Sequence, residues 1–283
     1  MNSILFYRTV NLLTALLPRR AMYAVAKAAS VWAYRNRLKV RRTLEENLRI
    51  VLEARGHAVT ESELEQMVRR NFDNFGKYVV DFFQTGQLSP EALDRLVKVE
   101  HVEYLEQCMG MGKGIIGLSA HIGNWELAAN ALARHGCRVA AVVRPQPTAK
   151  LDALFQTRRA GREIRVLPTG GGASPISACL KRGEMVALLG DLDFSAKEHR
   201  VPFFGKPARL PRGPAVLAAR TGSPVLPGFV LREPDDTFRL CLCPPIIPDQ
   251  FQSIDDIQKS ICSVLEEVIG SHPCQWFAFD PLW

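Results

Sequence analysis

The sequence contains no C-x-x-C pair, no apolar run close to twenty residues, no internal repeat and no low-complexity linker. Each absence removes a class of protein. The seven cysteines are scattered, and only Cys241 and Cys243 are close, as a C-x-C whose two side chains would share one face of a strand. That pattern argues for reduced core thiols and against a structural zinc, so no metal is expected. The two apolar stretches that open the chain, Ile4 to Leu17 and Ala21 to Tyr34, are interrupted by Arg8 and Lys27. Crossing a bilayer takes roughly 20 apolar residues, so neither is expected to span one. No small-residue cleavage site follows them, which argues against a signal peptide. No nucleic-acid-binding motif accompanies the basic residues, so no nucleic-acid partner is expected.

What is present is an ordinary folded composition, 47% apolar and 23% charged over 283 residues. That length suits one large domain, or one domain with an appendage. The net charge of +7 is unevenly placed. Residues 1–50 hold ten Lys/Arg against Glu45 and Glu46, whereas the remaining 26 Lys/Arg are balanced by 27 Asp/Glu. Apolar helices flanked by arginine suit the membrane interface, with cations beside anionic headgroups. Residues 1–97 therefore read as an N-terminal helical, membrane-associating region. Within it, Ser62 to Phe83 is amphipathic, with Leu64, Met67, Val68, Phe72, Phe75, Val79 and Phe82 at three- and four-residue steps.

Residues 98–283 alternate between strand and helix. Strands are expected at 114–120, 138–143, 164–167, 185–190, 224–231 and 238–243. Helices are expected at 125–134 with Asn124 as N-cap, 148–160, 174–181 capped by Ser174, 213–220 and 254–268. This predicts an α/β fold, a mixed, mostly parallel central sheet flanked by helices. Gly170-Gly171-Gly172 lacks the lysine of a phosphate loop and follows no G-x-G-x-x-G pattern, so it reads as a loop.

Two histidines have an acid five residues on: His121 with Glu126, and His101 with Glu106. Their settings differ. His121 follows a buried apolar run, at the carboxyl end of a strand, where open α/β sheets gather ligands. Glu126 falls in the first turn of the next helix, and Gly123 permits a tight turn between them. His101 lies in a charged stretch before any clear strand, and its pair reads as coincidence. A histidine beside a carboxylate can take a proton from a hydroxyl while the carboxylate fixes its tautomer. G-L-S-A-H lacks the last glycine of a nucleophile elbow, so Ser119 is a poor nucleophile candidate. Without a protein nucleophile, the natural reaction is direct attack of a substrate hydroxyl on an activated acyl group.

H-I-G-N-W-E at 121–126 resembles a block of the lipid A biosynthesis acyltransferases, the late lauroyl/myristoyl transferase family, whose relatives include phosphatidylinositol mannoside and lysophospholipid acyltransferases. Four further blocks follow the family order. They are R-R-T-L-E-E-N-L at 41–48, V-V-R-P-Q at 142–146, G-D-L-D at 190–193 with V-P-F-F-G-K-P-A at 201–208, and H-P-C-Q-W-F-A-F at 272–279. The resemblance implies a glycerolipid-acyltransferase-like fold on the cytoplasmic face of a bacterial inner membrane, peripheral or monotopic. It implies transfer of a fatty acyl chain from acyl carrier protein (ACP) or a coenzyme A (CoA) thioester to a hydroxyl of a lipid acceptor, without a cofactor. His121 would be the general base and Glu126 its partner. Asn124, Arg144, Asp191, Asp193, Phe204 and Gly205 would contact or organise the substrates. Arg209-Leu210-Pro211 and the ending after Trp276 depart from the family pattern and leave the acceptor open. A lipid-binding protein without activity and a lipid hydrolase are the competing readings.

Overall fold

The computed structural model describes residues 3–84, 88–160, 164–169, 172–193 and 200–283. Five helices come first: α1 (Ser3–Leu16), α2 (Arg19–Asn36), α3 (Leu38–Ala54), α4 (Glu61–Gln84) and α5 (Pro90–Leu96). The rest alternates: β1 (Val97–Glu100), α6 (Val102–Gly110), β2 (Ile115–Ser119), α7 (Glu126–Ala133), β3 (Val139–Val143), α8 (Ala149–Ala160), β4 (Arg165–Pro168), α9 (Ala173–Lys181) and β5 (Met185–Leu189). A hairpin of β6 (Val201–Phe203) and β7 (Lys206–Ala208), then α10 (Gly213–Thr221), β8 (Val225–Arg232), β9 (Phe238–Leu242) and α11 (Ile254–Ser271) complete it.

The central sheet has seven strands in the order β1-β9-β8-β2-β5-β3-β4. The five from β8 to β4 are parallel; β9 turns back antiparallel to β8, and β1 runs parallel to β9. The sheet is therefore mixed and mostly parallel, as the alternating pattern predicts. Its two faces follow from the period of two along a strand. On β2, Ile116 and Leu118 join a core with Leu44, Leu48 and Val51 of α3 and with Leu64 and Val68 of α4. Ile115 faces the other way, into a core with Leu105 of α6 and Leu127 and Leu132 of α7. Each large apolar side chain so buried contributes about 1.5–3 kcal/mol.

The N-terminal helices are tied to the sheet by a buried charge cluster. Asp81 of α4 is fully buried, and its carboxylate takes Arg19 Nε at 3.0 Å, Arg232 Nη2 at 2.5 Å and the Tyr23 hydroxyl at 2.7 Å. Among the described residues no helix is long and apolar enough to cross a membrane. All seven cysteines are free thiols. Burial, with Cys137 nearby, pushes the Cys108 thiol up to about 12, which leaves it inert at neutral pH.

Two expectations need correction, and one hairpin had no counterpart among them. The stretch before His101 contains a strand, β1, whose V-K-V-E is too short and too charged to register as one. His101 follows it with a left-handed backbone (φ 61) and caps α6. Residues 201–208 form a hairpin turned by Phe204 (φ 49) and Gly205 (φ 73), a pair of left-handed residues. Helix α9 starts at Ala173 and has Gly172 at its cap, not Ser174, while Gly170 and Gly171 lie outside the described residues.

Candidate active site

Strand register brings the principal pair together. Ser119 at the end of β2 pairs with Leu189 at the end of β5, and the Gly190 N–H donates to the Ser119 carbonyl at 2.9 Å. Two residues further along each parallel strand stand His121 and Asp191. Nδ1 of His121 lies 2.9 Å from Oδ1 of Asp191, and the backbone N–H of His121 donates to Oδ2 at 3.0 Å. Asp191 is fully buried, whereas the His121 side chain keeps 22% of its surface exposed. Burial drives the Asp191 carboxyl upward. The His121 ring and the hydrogen bonds from His121 and Trp276 outweigh that and hold it below the usual carboxylate value. An ionised Asp191 only accepts, so Nδ1 carries the proton and the basic lone pair sits on Nε2.

Gly123 makes the turn after His121 possible. Its φ is +57, and a Cβ there would lie 1.9 Å from the Val230 carbonyl oxygen. Its N–H donates to the Gln275 carbonyl and that of Asn124 to the Val230 carbonyl, both at 2.9 Å. These two N–H groups are thus engaged within the protein. Trp125 packs edge-on to the His121 ring at 5.1 Å and stacks on Tyr78 of α4 at 4.4 Å.

Below His121 a cavity of about 270 Å³ runs between the sheet and α7. It exists because the residues that face it are small. Ala141 of β3, Ala187 of β5 and Gly117 of β2 are register neighbours, followed by Leu226 of β8, and all four line it. Ala128 and Ala129 of α7 form the opposite wall. Along the strands it extends from His121, Ser119 and Leu189 at the carboxyl edge to Val139, Met185 and Ile164 at the far end. Apart from the mouth its walls are aliphatic or aromatic, a shape suited to a hydrocarbon chain.

Of the residues named from sequence, His121, Glu126 and Arg144 line this cavity, and Asp191 touches it through His121. Asn124 is wholly buried beside the turn; among the described residues neither amide atom of its side chain has a hydrogen-bond partner, and it does not cap α7. Asp193 lies two residues beyond Asp191. Phe204 is buried in the β6–β7 turn, where its N–H donates to Glu266, and Gly205 is exposed; neither is among the described residues lining the cavity. His101 sits at a distant surface, 3.2 Å from Glu103.

Two contributors escape sequence reasoning. Tyr78 supplies part of the cavity wall from the amphipathic helix α4, which reads from sequence as core or as part of an apolar groove. Trp276 is fully buried, and its indole N–H donates to Oδ2 of Asp191 at 2.9 Å. The only hint of Trp276 is its place in the 272–279 block, because nothing in spacing puts residue 276 beside residue 191.

The sequence model of one family, described as bacterial lipid A biosynthesis acyltransferase, matches residues 3–283. The chain is similar to a phosphatidylinositol mannoside acyltransferase of Mycobacterium tuberculosis, 27% identical over 221 residues, which cover 75% of this chain and 69% of that one. It is also similar to the protein of the same description from Mycolicibacterium smegmatis, 22% identical over 223 residues, covering 77% and 73%.

Proposed function

This chain belongs to the bacterial lipid A biosynthesis acyltransferase family and is an acyltransferase with a lipid acceptor, and we propose that it moves a fatty acyl chain from acyl-ACP or acyl-CoA to a hydroxyl of a lipid A precursor or a related glycolipid or lysophospholipid. The observation that carries this reading is the oriented histidine at the mouth of an aliphatic cavity. The acyl chain of the donor would fill the cavity and bring its thioester carbonyl beside His121.

Nε2 of His121 would take the proton of the acceptor hydroxyl as its oxygen bonds to the carbonyl carbon. The tetrahedral adduct would then collapse, breaking the carbon–sulfur bond, and the leaving thiolate would recover the proton from the imidazolium. Asp191 holds the tautomer and stabilises the imidazolium. Glu126, on the cavity wall in the first turn of α7, assists His121. Arg144 is the cation we assign to the developing oxyanion, since the N–H groups of Gly123 and Asn124 already donate to protein carbonyls. The backbone of Asn124 supports the turn between base and acid through its bond to Val230, and Asp193, Phe204 and Gly205 are assigned to the acceptor side. The thioester is itself the activated acyl group, so the reaction needs no further cofactor.

We place the membrane contact within residues 1–97. Of the ten exposed large apolar side chains among the described residues, eight lie between Leu5 and Leu38. Exposed Arg8, Arg20, Lys27, Arg35, Arg37 and Lys39 are interspersed with them. That mixture suits the interface of an anionic bilayer, such as the cytoplasmic face of a bacterial inner membrane.

The test is purified protein with ACP and CoA thioesters of graded chain length and a total bacterial lipid extract, read by mass spectrometry. A lipid that gains one acyl unit with wild type but not with His121→Ala supports the reading and names donor and acceptor. Free fatty acid in place of an acylated lipid would make the protein a hydrolase and overturn it.

A further inference from the structure

The C-terminal segment 272–280, a 3-10 turn at Pro273–Gln275 followed by extended chain, is held in place by side chains from several elements. Asparagine side chains on two helices grip its carbonyl groups. Asn47 of α3 donates to Ala278 and Asp280; Asn71 of α4 donates to Pro273 and Trp276; Asn74 of α4 donates to Cys274. From the other side, the Gln275 amide pairs with both backbone groups of Arg232, accepting at 2.8 Å and donating at 2.9 Å. The Phe277 N–H donates to the His121 carbonyl at 2.7 Å, and Ile122 forms a bridge with Trp276. The buried ones, from Asn47 to Ala278 and from Asn71 to Pro273 and Trp276, would be costly to leave half-made. Together they fix one side chain, Trp276, against the carboxylate of Asp191.

We propose that Trp276 is a positioning residue for acyl transfer: its indole N–H holds Oδ2 of Asp191 so that Oδ1 is presented squarely to Nδ1 of His121. The proposal rests on His121 being the base. A carboxylate turns easily about its last bond, because that torsion is broad. Two donors on Oδ2, the His121 N–H and the Trp276 indole, remove this freedom and draw charge toward Oδ2. They thereby moderate the pull of Oδ1 on the imidazole proton. Other groups also face His121: Glu126 from α7, Arg144 after β3 and Tyr78 from α4 all line the same cavity. Oδ2 itself accepts from the Trp276 indole and from the His121 N–H.

Removing the indole donor concentrates charge on Oδ1 and frees the carboxylate to rotate. The Trp276→Phe variant should lose about tenfold or more in kcat, with the KM for the acyl donor changed less than about twofold. The acid limb of its kcat/KM profile should move to higher pH by about half a unit or more, because the imidazolium faces a less delocalised carboxylate. Replacing Trp276 with β-(3-benzothienyl)alanine, which keeps the shape and lacks the N–H, should reproduce the shift with the fold unchanged. NMR titration of the His121 ring in wild type and both variants reads the same displacement without any turnover. It therefore separates failure of this proposal from failure of the catalytic reading. An unmoved ring titration in the isosteric variant would reduce Trp276 to a core side chain and overturn the proposal.

Discussion

Oδ1 of Asp191, not a carboxylate oxygen of Glu126, stands 2.9 Å from Nδ1 of His121. Asp191 thus holds the imidazole directly, while Glu126 lines the same cavity from α7, and the roles proposed for the two carboxylates can be separated. Asp191→Asn offers the ring an ambiguous partner and lets the wrong tautomer form, so kcat should fall by about a thousandfold or more. Glu126→Gln should lower kcat by about tenfold to a hundredfold, with thermal stability unchanged. Steady-state kinetics on the two purified variants checks the order; a larger loss for Glu126→Gln would transfer the tautomer-fixing role to it.

The cavity should set acyl chain length. Ala187→Leu places an isobutyl group in the row of Gly117, Ala141 and Ala187. Long donors would lose the depth beyond that row, at about 0.8 kcal/mol for each methylene no longer buried. Activity should therefore shift to shorter thioesters, losing about tenfold in kcat/KM for every two carbons excluded, while short donors react as before. Kinetics across a graded series of thioesters is the measurement. An unchanged optimum would place the acyl chain elsewhere.

Vesicle binding should depend on the exposed face of α1 and α2. Leu12, Leu16 and Trp32 are 60%, 70% and 52% exposed. Changing all three to serine should weaken sedimentation with anionic vesicles by at least about a hundredfold, since each large apolar group that inserts contributes on the order of 1 kcal/mol or more. Added salt should weaken the wild-type interaction as well. Binding that ignores both changes would move the membrane contact off these helices.

Stability should fall on the acid side through His272. Burial, helped by the charge of Arg239, lowers the pKa of this half-buried ring in the fold. The unfolded chain, with an ordinary pKa of about 6.5, then binds the proton more readily. The contribution is therefore fully present above about pH 6.5 and is lost as pH falls through the lower folded value. Urea unfolding at pH 7.5 and pH 5 should show a smaller difference for His272→Gln than for wild type. An equal difference would assign the acid sensitivity to other groups.

The sequence was informative where order along the chain carries the signal. Alternating apolar runs gave the parallel strands, and the five ordered blocks pointed to the family. His121 was distinguishable from His101 because it follows a buried strand. What spacing cannot convey is which strands are neighbours. The sheet places β5 beside β2 although β3 and β4 intervene in sequence, and only that adjacency sets Asp191 against His121. Glu126 stands out as a candidate because it is five residues away; spacing says nothing of Trp276, whose contact closes a loop of 85 residues. The short strands β1, β6 and β7 were missed for a local reason, since three or four residues give too little periodicity to read.

The floor of the cavity has an evolutionary consequence. Ala141, Ala187 and Gly117 owe their place there to the size of their side chains. Every alanine codon and every glycine codon is a single base change from a valine codon. With the donor's acyl chain seated there as proposed, chain-length preference would be open to stepwise drift by point mutation, one shortened acyl group at a time. The pairing of His121 with Asp191 is far less forgiving, since Glu, one base change from Asp, adds a methylene at a wholly buried site. Lineages carrying this fold are expected to diversify in the lipids they make well before they lose the reaction.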